Sequence, residues 1–251
     1  MLMKVYEHFA YLYVRGRYSR FSEKMAEILP MILEKFDARP HRILDVACGE
    51  GTFAVEMAKR GFQTVGVDIS SEMLKFAKEK AKKENVDVKF ICQDMRSLDF
   101  DEEFDLVTCW FDSLNYLLTI EDLEKTFAGI YRALKEKGLF IFDMNTRYGL
   151  AVGWSRYSCH IEQETEDILE IHQASYDFET DIATLRIIGF IRNGETWIRL
   201  DEEHKEKGYT LREIRERLRH VGFKELACWG NIKDMSEPQP DSRRVFFVVQ
   251  K

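Results

Sequence analysis

The chain carries, at positions 43 to 54, the run Ile43-Leu44-Asp45-Val46-Ala47-Cys48-Gly49-Glu50-Gly51-Thr52-Phe53-Ala54. Branched apolar residues end at two glycines spaced one apart, and a helical pattern of apolar positions follows at once. This order predicts a strand, a tight turn and a helix. Glycine suits the turn because it tolerates positive φ and lets a ligand approach the backbone. The free amides at the start of the helix should therefore face a ligand above the strand end.

A second predicted strand, residues 62–68, ends in Asp68. An acid about twenty residues beyond a glycine turn has the spacing at which a carboxylate meets a ribose diol. Together the two strands predict a nucleoside site at the carboxyl edge of a parallel sheet. The pattern Gly49-x-Gly51-x-x-Ala54 also satisfies the dinucleotide fingerprint, so a nicotinamide-binding oxidoreductase is an alternative at this point.

Asp45 favours a different nucleoside. A carboxylate inside the first strand, four residues before Gly49, suits a ligand with an ammonium and a sulfonium better than a pyrophosphate. The run from residue 43 to residue 54 resembles motif I of the class I S-adenosylmethionine-dependent methyltransferases, and residues 65–70 resemble the next motif of that family. The resemblance implies S-adenosylmethionine as cofactor and S-adenosylhomocysteine as product. The cofactor contacts expected from these two motifs are Asp45, Ala47, Cys48, Gly49, Gly51, Asp68, Ile69 and Ser70.

Further cofactor contacts are expected from later strands and from the N-terminal region. After the third strand, Asp94 can accept from the adenine amine and Met95 can pack on the ring, although a turn-forming aspartate is the alternative. Residues 4–36 predict two helices, either packed on the sheet or forming a lid that brings Tyr6 and Tyr13 to the cofactor. At the end of the fourth strand the expected contacts are Cys109 and Trp110. For Cys48 and Cys109 the alternative is a small buried hydrophobic residue.

The loop after the fourth strand should overlook the transferred methyl group, because ligands bind outside the strand ends of such sheets. Its expected substrate contacts, with one residue from the fifth strand, are Phe111, Asn115, Tyr116 and Asn145. The candidate catalytic residues are His204, Asp112 and Asp143. His204 is the natural base because its ordinary pKa lies near neutrality, with a surface histidine as the alternative. For Asp112 the alternative is a helix cap.

The order of elements predicts an α/β fold with a seven-stranded, mostly parallel, Rossmann-like sheet that ends in an antiparallel hairpin. Residues 1–150 should form the N-terminal helices and the cofactor-binding core, and residues 206–251 should return to it with a helix and two strands. Residues 151–205 read as an antiparallel β insertion of three short strands over the substrate, with Asn193-Gly194 as a hairpin turn. Within the insertion, four acids are expected in a solvated loop: Glu162, Glu164, Glu166 and Asp167.

Composition limits the other function classes. The formal charge of −7 argues against a nucleic-acid surface. The absence of a long apolar stretch or a signal-like start argues against a membrane partner and for a cytoplasmic protein. The five cysteines include no C-x-x-C pair, so no metal site is expected. Abundant Lys and Glu suggest a thermophilic source, and the protein is expected to be a monomer or a homodimer.

The sequence therefore predicts an enzyme that transfers a methyl group to nitrogen or oxygen of a small molecule by in-line displacement. The insertion loosely matches that of sugar-amine and glycine N-methyltransferases. Within the family, the alternative is a tRNA wobble-uridine methyltransferase, which the net negative charge disfavours. Outside it, the alternatives are a nicotinamide-dependent oxidoreductase and a cofactor-binding subunit without catalytic activity.

Overall fold

The computed structural model describes Tyr6, residues 9–154 and residues 158–251. Over these residues the chain forms a seven-stranded sheet and a separate four-stranded sheet. Two parts of the sequence-based predictions lie outside the described residues. They are the start of the first predicted helix, at residues 4, 5, 7 and 8, and residues 155–157 of the predicted insertion.

The seven-stranded sheet has the order β10-β11-β5-β4-β1-β2-β3. All its pairings are parallel except those of β11, which runs antiparallel to both β5 and β10. The predicted mostly parallel sheet with a terminal antiparallel hairpin is confirmed. Its strands are β1 (Arg42–Val46), β2 (Gln63–Asp68), β3 (Val88–Cys92), β4 (Phe104–Cys109), β5 (Leu134–Asn145), β10 (Lys224–Trp229) and β11 (Arg244–Gln250).

The position of β1 explains where a ligand can bind. The chain proceeds outward from β1 to β2 and β3, then returns to place β4 on the other side of β1. This reversal opens a crevice at the carboxyl ends of β1 and β4, which is where open α/β sheets bind their ligands. The predicted glycine turn follows β1 and so lies at this crevice.

Helices cover both faces of the sheet, and side chains alternate between the faces along each strand. Phe140 and Phe142 pack toward α5 and α6, whereas Leu139 and Ile141 pack toward α2. Thr210 begins α6 with a capping box to Glu213, as the pattern Thr-x-x-Glu at residues 210–213 predicts. The helices are α1 (Phe9–Arg15), α2 (Ser19–Lys35), α3 (Thr52–Lys59), α4 (Ser71–Glu84), α5 (Ile120–Ala133) and α6 (Leu211–Val221). Among the described residues, no helix is both long and apolar enough to cross a bilayer.

The insertion is an antiparallel sheet of four strands rather than the predicted three. Its strands are β6 (Cys159–Glu164), β7 (Ile168–Asp177), β8 (Ile182–Asn193) and β9 (Thr196–Lys207), in that order. Glu162 and Glu164 therefore lie in a strand, and their expected loop position was wrong. The error arose because β6 has four polar or charged residues out of six and lacks an apolar run. The hairpin turn at Gly194 is confirmed, with Asn193 paired to Thr196.

Helix α1 packs on this second sheet. A Cβ on Gly189 of β8 would lie 2.1 Å from Leu12 Cδ1, so glycine allows the helix to approach the strand closely. Phe9, Leu12, Ile187 and Ile191 form a buried cluster between them. The contacts leave a space between α1, the insertion and the carboxyl edge of the main sheet.

Candidate active site

The turn after β1 is built from residues with left-handed backbone conformations. Ala47, Gly49 and Gly51 have φ values of 56°, 56° and 79°. A Cβ on Gly51 would lie 2.8 Å from Ala77 Cβ, so a larger residue would displace α4. The turn is held to the next strand by Asp68, which accepts from the Gly49 amide at 2.8 Å. Glycine at both positions thus lets the turn adopt positive φ and pack closely against α4.

Asp68 is a buried carboxylate at the end of β2. Its second oxygen accepts from the Ser70 amide at 2.8 Å, and Ser70 in turn caps α4 by accepting from the Met73 amide. Each carboxylate oxygen has more than one acceptor site, so both remain able to accept a hydroxyl. Beside them, the side chain of Ile69 is exposed.

Asp45 is also buried, in the middle of the sheet. One of its oxygens accepts from Thr108 Oγ1 on β4 at 2.9 Å. Burial raises the pKa of Asp45 to about 8, against the opposing effect of the Thr108 hydrogen bond. A nearby cation lowers the pKa of a carboxylate, so this position fits a positively charged ligand.

Asp94 lies after β3, at the start of a short 3₁₀ turn (Met95–Ser97). Its side chain accepts from the Arg96 amide at 2.9 Å and pairs with the Arg96 guanidinium. Although burial opposes it, the bonding to Arg96 holds the pKa of Asp94 below its ordinary value. Met95 is partly buried against the main core. Asp94 therefore caps the turn, as the alternative expected, and its role toward adenine stays a prediction.

Three predicted cofactor residues pack their side chains into the core. Cys48 contacts Leu74 and Ala77 on the α4 side of the sheet. Cys109 lies in the cluster beneath α5, and Trp110 lies in the cluster under α2. Burial raises the pKa of both thiols well above the ordinary value, so they remain thiols. The cofactor contacts predicted for these three residues would have to come from their backbone atoms.

A buried acid–arginine network holds the loop after β4. Asp143 accepts from the amides of Phe111 and Asp112 at 2.7 and 3.0 Å and from Arg244. Arg244 also donates to Asp112 at 3.1 Å. Burial raises the pKa of Asp143 to about 6, and the positive charge of Arg244 opposes that rise. Asp112 makes no side-chain cap to the turn that follows it, so the cap alternative was wrong.

Asn145 extends this network to the insertion. Its side-chain amide donates to Asp112 and, at 2.9 Å, to Glu206 on β9. Asn115 accepts from the Asn145 backbone amide at 2.9 Å and donates to the Lys207 carbonyl at 2.8 Å. Both asparagines are buried. They fasten the loop after β4 to β5 and to the end of β9.

A second set of polar contacts joins Tyr6, Tyr116 and His204. The two phenol oxygens are 3.1 Å apart, and the Tyr116 oxygen is 3.0 Å from His204 Nδ1. Burial raises the pKa of both tyrosines. His204 is 1% exposed, so the alternative of a surface histidine was wrong. Its charged neighbours in the sequence suggested an exposed position. On β9, however, side chains alternate between the two faces of the strand, so His204 can be buried beside charged residues.

These groups surround a cavity of about 260 Å³ between α1, the insertion and the main sheet. Predicted residues on its wall are Tyr6, Tyr13, Phe111, Asp112, Tyr116 and His204. Asn115, Asn145 and Asp143 lie in the buried networks described above. The structure thus brings one part of the predicted site together around a single space.

Comparison with known proteins identifies the family of this chain. A family profile described as a methyltransferase domain matches residues 43–138. The protein YqeM of Bacillus subtilis (strain 168), which carries the name of a methyltransferase, is 36% identical over 212 residues, covering 84% of each chain. A crystal structure titled as an S-adenosylmethionine-dependent methyltransferase from Clostridium acetobutylicum ATCC 824 is 27% identical, with a TM-score of 0.83 over 98% of this chain and 99% of that one. The chain belongs to the class I S-adenosylmethionine-dependent methyltransferases.

The cofactor of this methyltransferase is S-adenosylmethionine. A third relative, CalS10 from Micromonospora echinaspora, has a structure titled as bound to this cofactor, with a TM-score of 0.68, 19% identity and coverage of 100% and 98%. The residues present fit such a ligand. Buried acceptors lie near the ends of β1 and β2, and the glycine turn between β1 and α3 is hydrogen-bonded directly to one of them, Asp68. The nicotinamide-dependent alternative is no longer supported.

Three charged residues of the methyltransferase's cavity were not predicted to lie there: Glu162, which was expected in a solvated loop, Glu206 and Arg244. Arg244 precedes an apolar strand, a position that usually holds a solvated charge. Because β11 is antiparallel, its first residue pairs with Asn145 at the carboxyl end of β5. The terminal hairpin was predicted, so this placement of Arg244 could have been inferred. Glu206 carried no such signal, because it lies in a run of alternating charges.

Proposed function

We propose that this methyltransferase transfers a methyl group to a nitrogen or oxygen atom of a small polar molecule bound in the cavity beneath the insertion. The observation that carries the proposal is the cavity itself. Its volume of about 260 Å³ is close to the lower bound of roughly 300 Å³ for small-molecule pockets. Aromatic rings form one wall, and titratable groups from β9 and β11 form another.

The cofactor in this proposal lies along the carboxyl ends of β1, β2 and β3. It supplies a methyl group on a positively charged sulfur. Asp68 accepts the ribose hydroxyls, Asp45 lies toward the cationic end, and Asp94 accepts the adenine amine with lone pairs that Arg96 leaves open. The remaining proposed contacts are Tyr6, Tyr13, Ala47, Cys48, Gly49, Gly51, Ile69, Ser70, Met95, Cys109 and Trp110.

His204 is the proposed base. An ammonium must lose a proton before its nitrogen can attack, and a hydroxyl benefits from the same step. Tyr116 lies on the cavity wall, and its oxygen is 3.0 Å from His204 Nδ1. Because burial raises the pKa of Tyr116, the phenol stays protonated. It would pass its own proton to His204 while it accepts one from the substrate.

Asp112 and Asp143 have different proposed roles. Both oxygens of Asp143 are occupied by backbone amides and Arg244, so we assign it to positioning the loop that carries Phe111. Asp112 lines the cavity and is placed to accept from a donor on the substrate. Phe111 and Tyr116 would contact the substrate directly, whereas Asn115 and Asn145 would hold the loop that presents them.

The charges of the cavity favour an amine. Asp112 and Glu206 both contribute carboxyl groups to its wall, and burial, with the nearby Asp112, raises the pKa of Glu206. A cationic acceptor bound beside them would favour the charged form of Glu206. CalS10, described as an amino pentose methyltransferase, is consistent with such a substrate class. So is a relative of this chain that carries the name glycine/sarcosine N-methyltransferase. The net charge of −7 argues against a tRNA acceptor.

The test is methyl transfer from a labelled donor into a metabolite extract, with purified tRNA as a second acceptor. We expect label in small molecules, and His204→Ala should lose turnover by about 10²- to 10⁴-fold while it keeps cofactor affinity. His220→Ala, on the exposed end of α6, is the matched control. Retained turnover in His204→Ala would remove the base assignment. Label in tRNA alone, or cofactor binding without any transfer, would contradict the proposed function.

A further inference from the structure

Three side chains on the insertion converge on one point of the cavity wall. They are His160 and Glu162 of β6 and His172 of β7. Each offers one ligand atom, and these atoms all lie within 4.8 Å of one another. The strand register causes the convergence, because His160 is paired directly with His172. All three residues line the cavity beneath the insertion.

A second, deeper carboxylate backs this cluster. Glu170 is 0% exposed and lies 2.6 Å from His172 Nε2. Its Oε1 also accepts from Tyr18, whereas its Oε2 has no hydrogen-bond partner among the described residues. Within that part of the chain, neither Glu170 nor Glu162 pairs with a Lys or Arg. Glu170 is therefore buried with an imidazole and a phenol beside its carboxyl group, whereas Glu162 lies at the exposed side of the same cluster.

We propose that His160, Glu162 and His172 bind a divalent transition-metal ion of the zinc class on the cavity wall. Two imidazoles and a carboxylate are the donors that such ions take, whereas Mg²⁺ and Ca²⁺ prefer oxygen donors alone. The positive ion would also offset the carboxylates of the buried Glu170 and the exposed Glu162. Glu170 is the positioning residue, because a carboxylate bonded to the ring of a metal-bound histidine fixes its orientation.

The location of the ion would give it a role toward the methyl acceptor, a step that rests on the proposed function. Three protein ligands leave at least one coordination position open, and the ligand residues face the cavity. An oxygen or nitrogen lone pair of the acceptor would fill that position. The ion would thus select small molecules that carry a second donor group besides the atom that is methylated.

The test is titration of the tag-free, chelator-treated chain with Zn²⁺ by calorimetry, and with Co²⁺ by visible absorption. We expect one saturable site per chain. His172→Ala and Glu162→Gln should each weaken binding by at least about tenfold, and Glu170→Gln by about 10- to 100-fold. Two variants should leave binding unchanged: His220→Ala on α6, and Cys159→Ser, which precedes His160 and points to the other face of β6.

The absence of a saturable site would overturn the proposal, as would equal affinity in the wild type and Glu162→Gln. Loss of binding in Cys159→Ser alone would also overturn it, because the ion would then lie elsewhere. Circular dichroism identifies a His172→Ala chain that fails to fold. In that case Glu162→Gln decides, since Glu162 is exposed on an edge strand. Zinc binding without methyl transfer would leave the metal site standing and refute only the proposed function.

Discussion

Asp45 and Asp68 are both buried carboxylates at the cofactor crevice, but the folded chain satisfies them differently. Asp68 accepts two backbone amides, whereas Asp45 has the hydroxyl of Thr108. Hydrogen bonds from amides favour the charged form of a carboxylate, and burial disfavours it. The two residues therefore prepare the crevice in two ways, one as a positioned acceptor and the other as a site that gains from a nearby cation.

Substitution of Asp68 should weaken cofactor binding. Asp68→Ala removes the proposed acceptor of the ribose hydroxyls and the anchor of the Gly49 amide, so we expect a loss of about 1 to 3 kcal/mol in binding free energy. Calorimetric titration with S-adenosylhomocysteine measures it. Asp87→Ala, at an exposed position before β3, is the control. Equal affinity in Asp68→Ala and the wild type would exclude the residue from the site.

Asp45 should make the stability of the ligand-free protein depend on pH. Its folded pKa of about 8 lies above the unfolded value of about 3.9, so the folded state holds the extra proton between these values. The free energy of unfolding therefore falls as pH rises through this window, by up to about 1.4 kcal/mol per pH unit from this group. Asp45→Asn keeps an acceptor for Thr108 and removes the titration.

Urea denaturation at pH 5, 6, 7 and 8 measures this effect. The stability of Asp45→Asn relative to the wild type should increase steadily across the series, with Asp101→Asn on the surface as control. Parallel pH profiles for the wild type and Asp45→Asn would show that Asp45 is ionised throughout.

The insertion and helix α1 form one unit, joined by Glu202 of β9. The Glu202 carboxylate accepts from the Tyr6 amide and, at 3.0 Å, from the Phe9 amide at the start of α1. Glu202 also lies 3.2 Å from His204 Nε2. The same side chain therefore holds the helix above the cavity and borders the proposed base.

Removal of that anchor should loosen α1 without unfolding the core. In Glu202→Ala we expect faster amide hydrogen exchange in Phe9–Arg15 and unchanged exchange in the strands of the main sheet, because local opening depends on local contacts. Mass spectrometry of peptides from the exchanged protein gives the comparison. Glu203→Ala, whose side chain pairs with Lys205, is the matched control. Unchanged exchange across α1 in Glu202→Ala would contradict this role.

Elements with strong local patterns were predicted correctly, whereas β6, which lacks such a pattern, was not. The turn from β1 to α3 and the cap of α6 follow from glycine spacing and from Thr210 with Glu213. By contrast, β6 has no apolar alternation, and it forms a strand because it pairs with β7. The site divides in the same way. The sequence indicated the acids at strand ends, whereas Arg244 and Glu206 reach the site through contacts with residues far away along the chain. The His160–His172 pair depends on the register of the β6–β7 hairpin.

For the whole molecule, the two sheets contribute to one site from opposite sides. The main sheet supplies the crevice at β1 and β4, and the insertion covers the cavity beside it. A ligand that binds the native state stabilises the entire fold through mass action. Cofactor binding should therefore be visible as a property of the chain as a whole.

We expect S-adenosylhomocysteine to raise the melting temperature and NAD to leave it unchanged at equal concentration. At about one hundred times the dissociation constant, the ligand adds about 2.7 kcal/mol to the free energy of unfolding. A thermal-shift titration with both ligands tests this, and Asp68→Ala should need more ligand for the same rise. Stabilisation by NAD alone would contradict the cofactor assignment.

The placement of β11 has a consequence for biosynthesis. This strand is the last to be translated among those described, yet it lies inside the main sheet between β5 and β10. Its first residue, Arg244, pairs with both Asp112 and Asp143. Until it leaves the ribosome, β5 has an unpaired edge and the two acids lack their counterion. A nascent chain stalled before residue 244 should therefore have an incompletely formed pocket. Chaperones that shield strand edges would bind the chain at that stage.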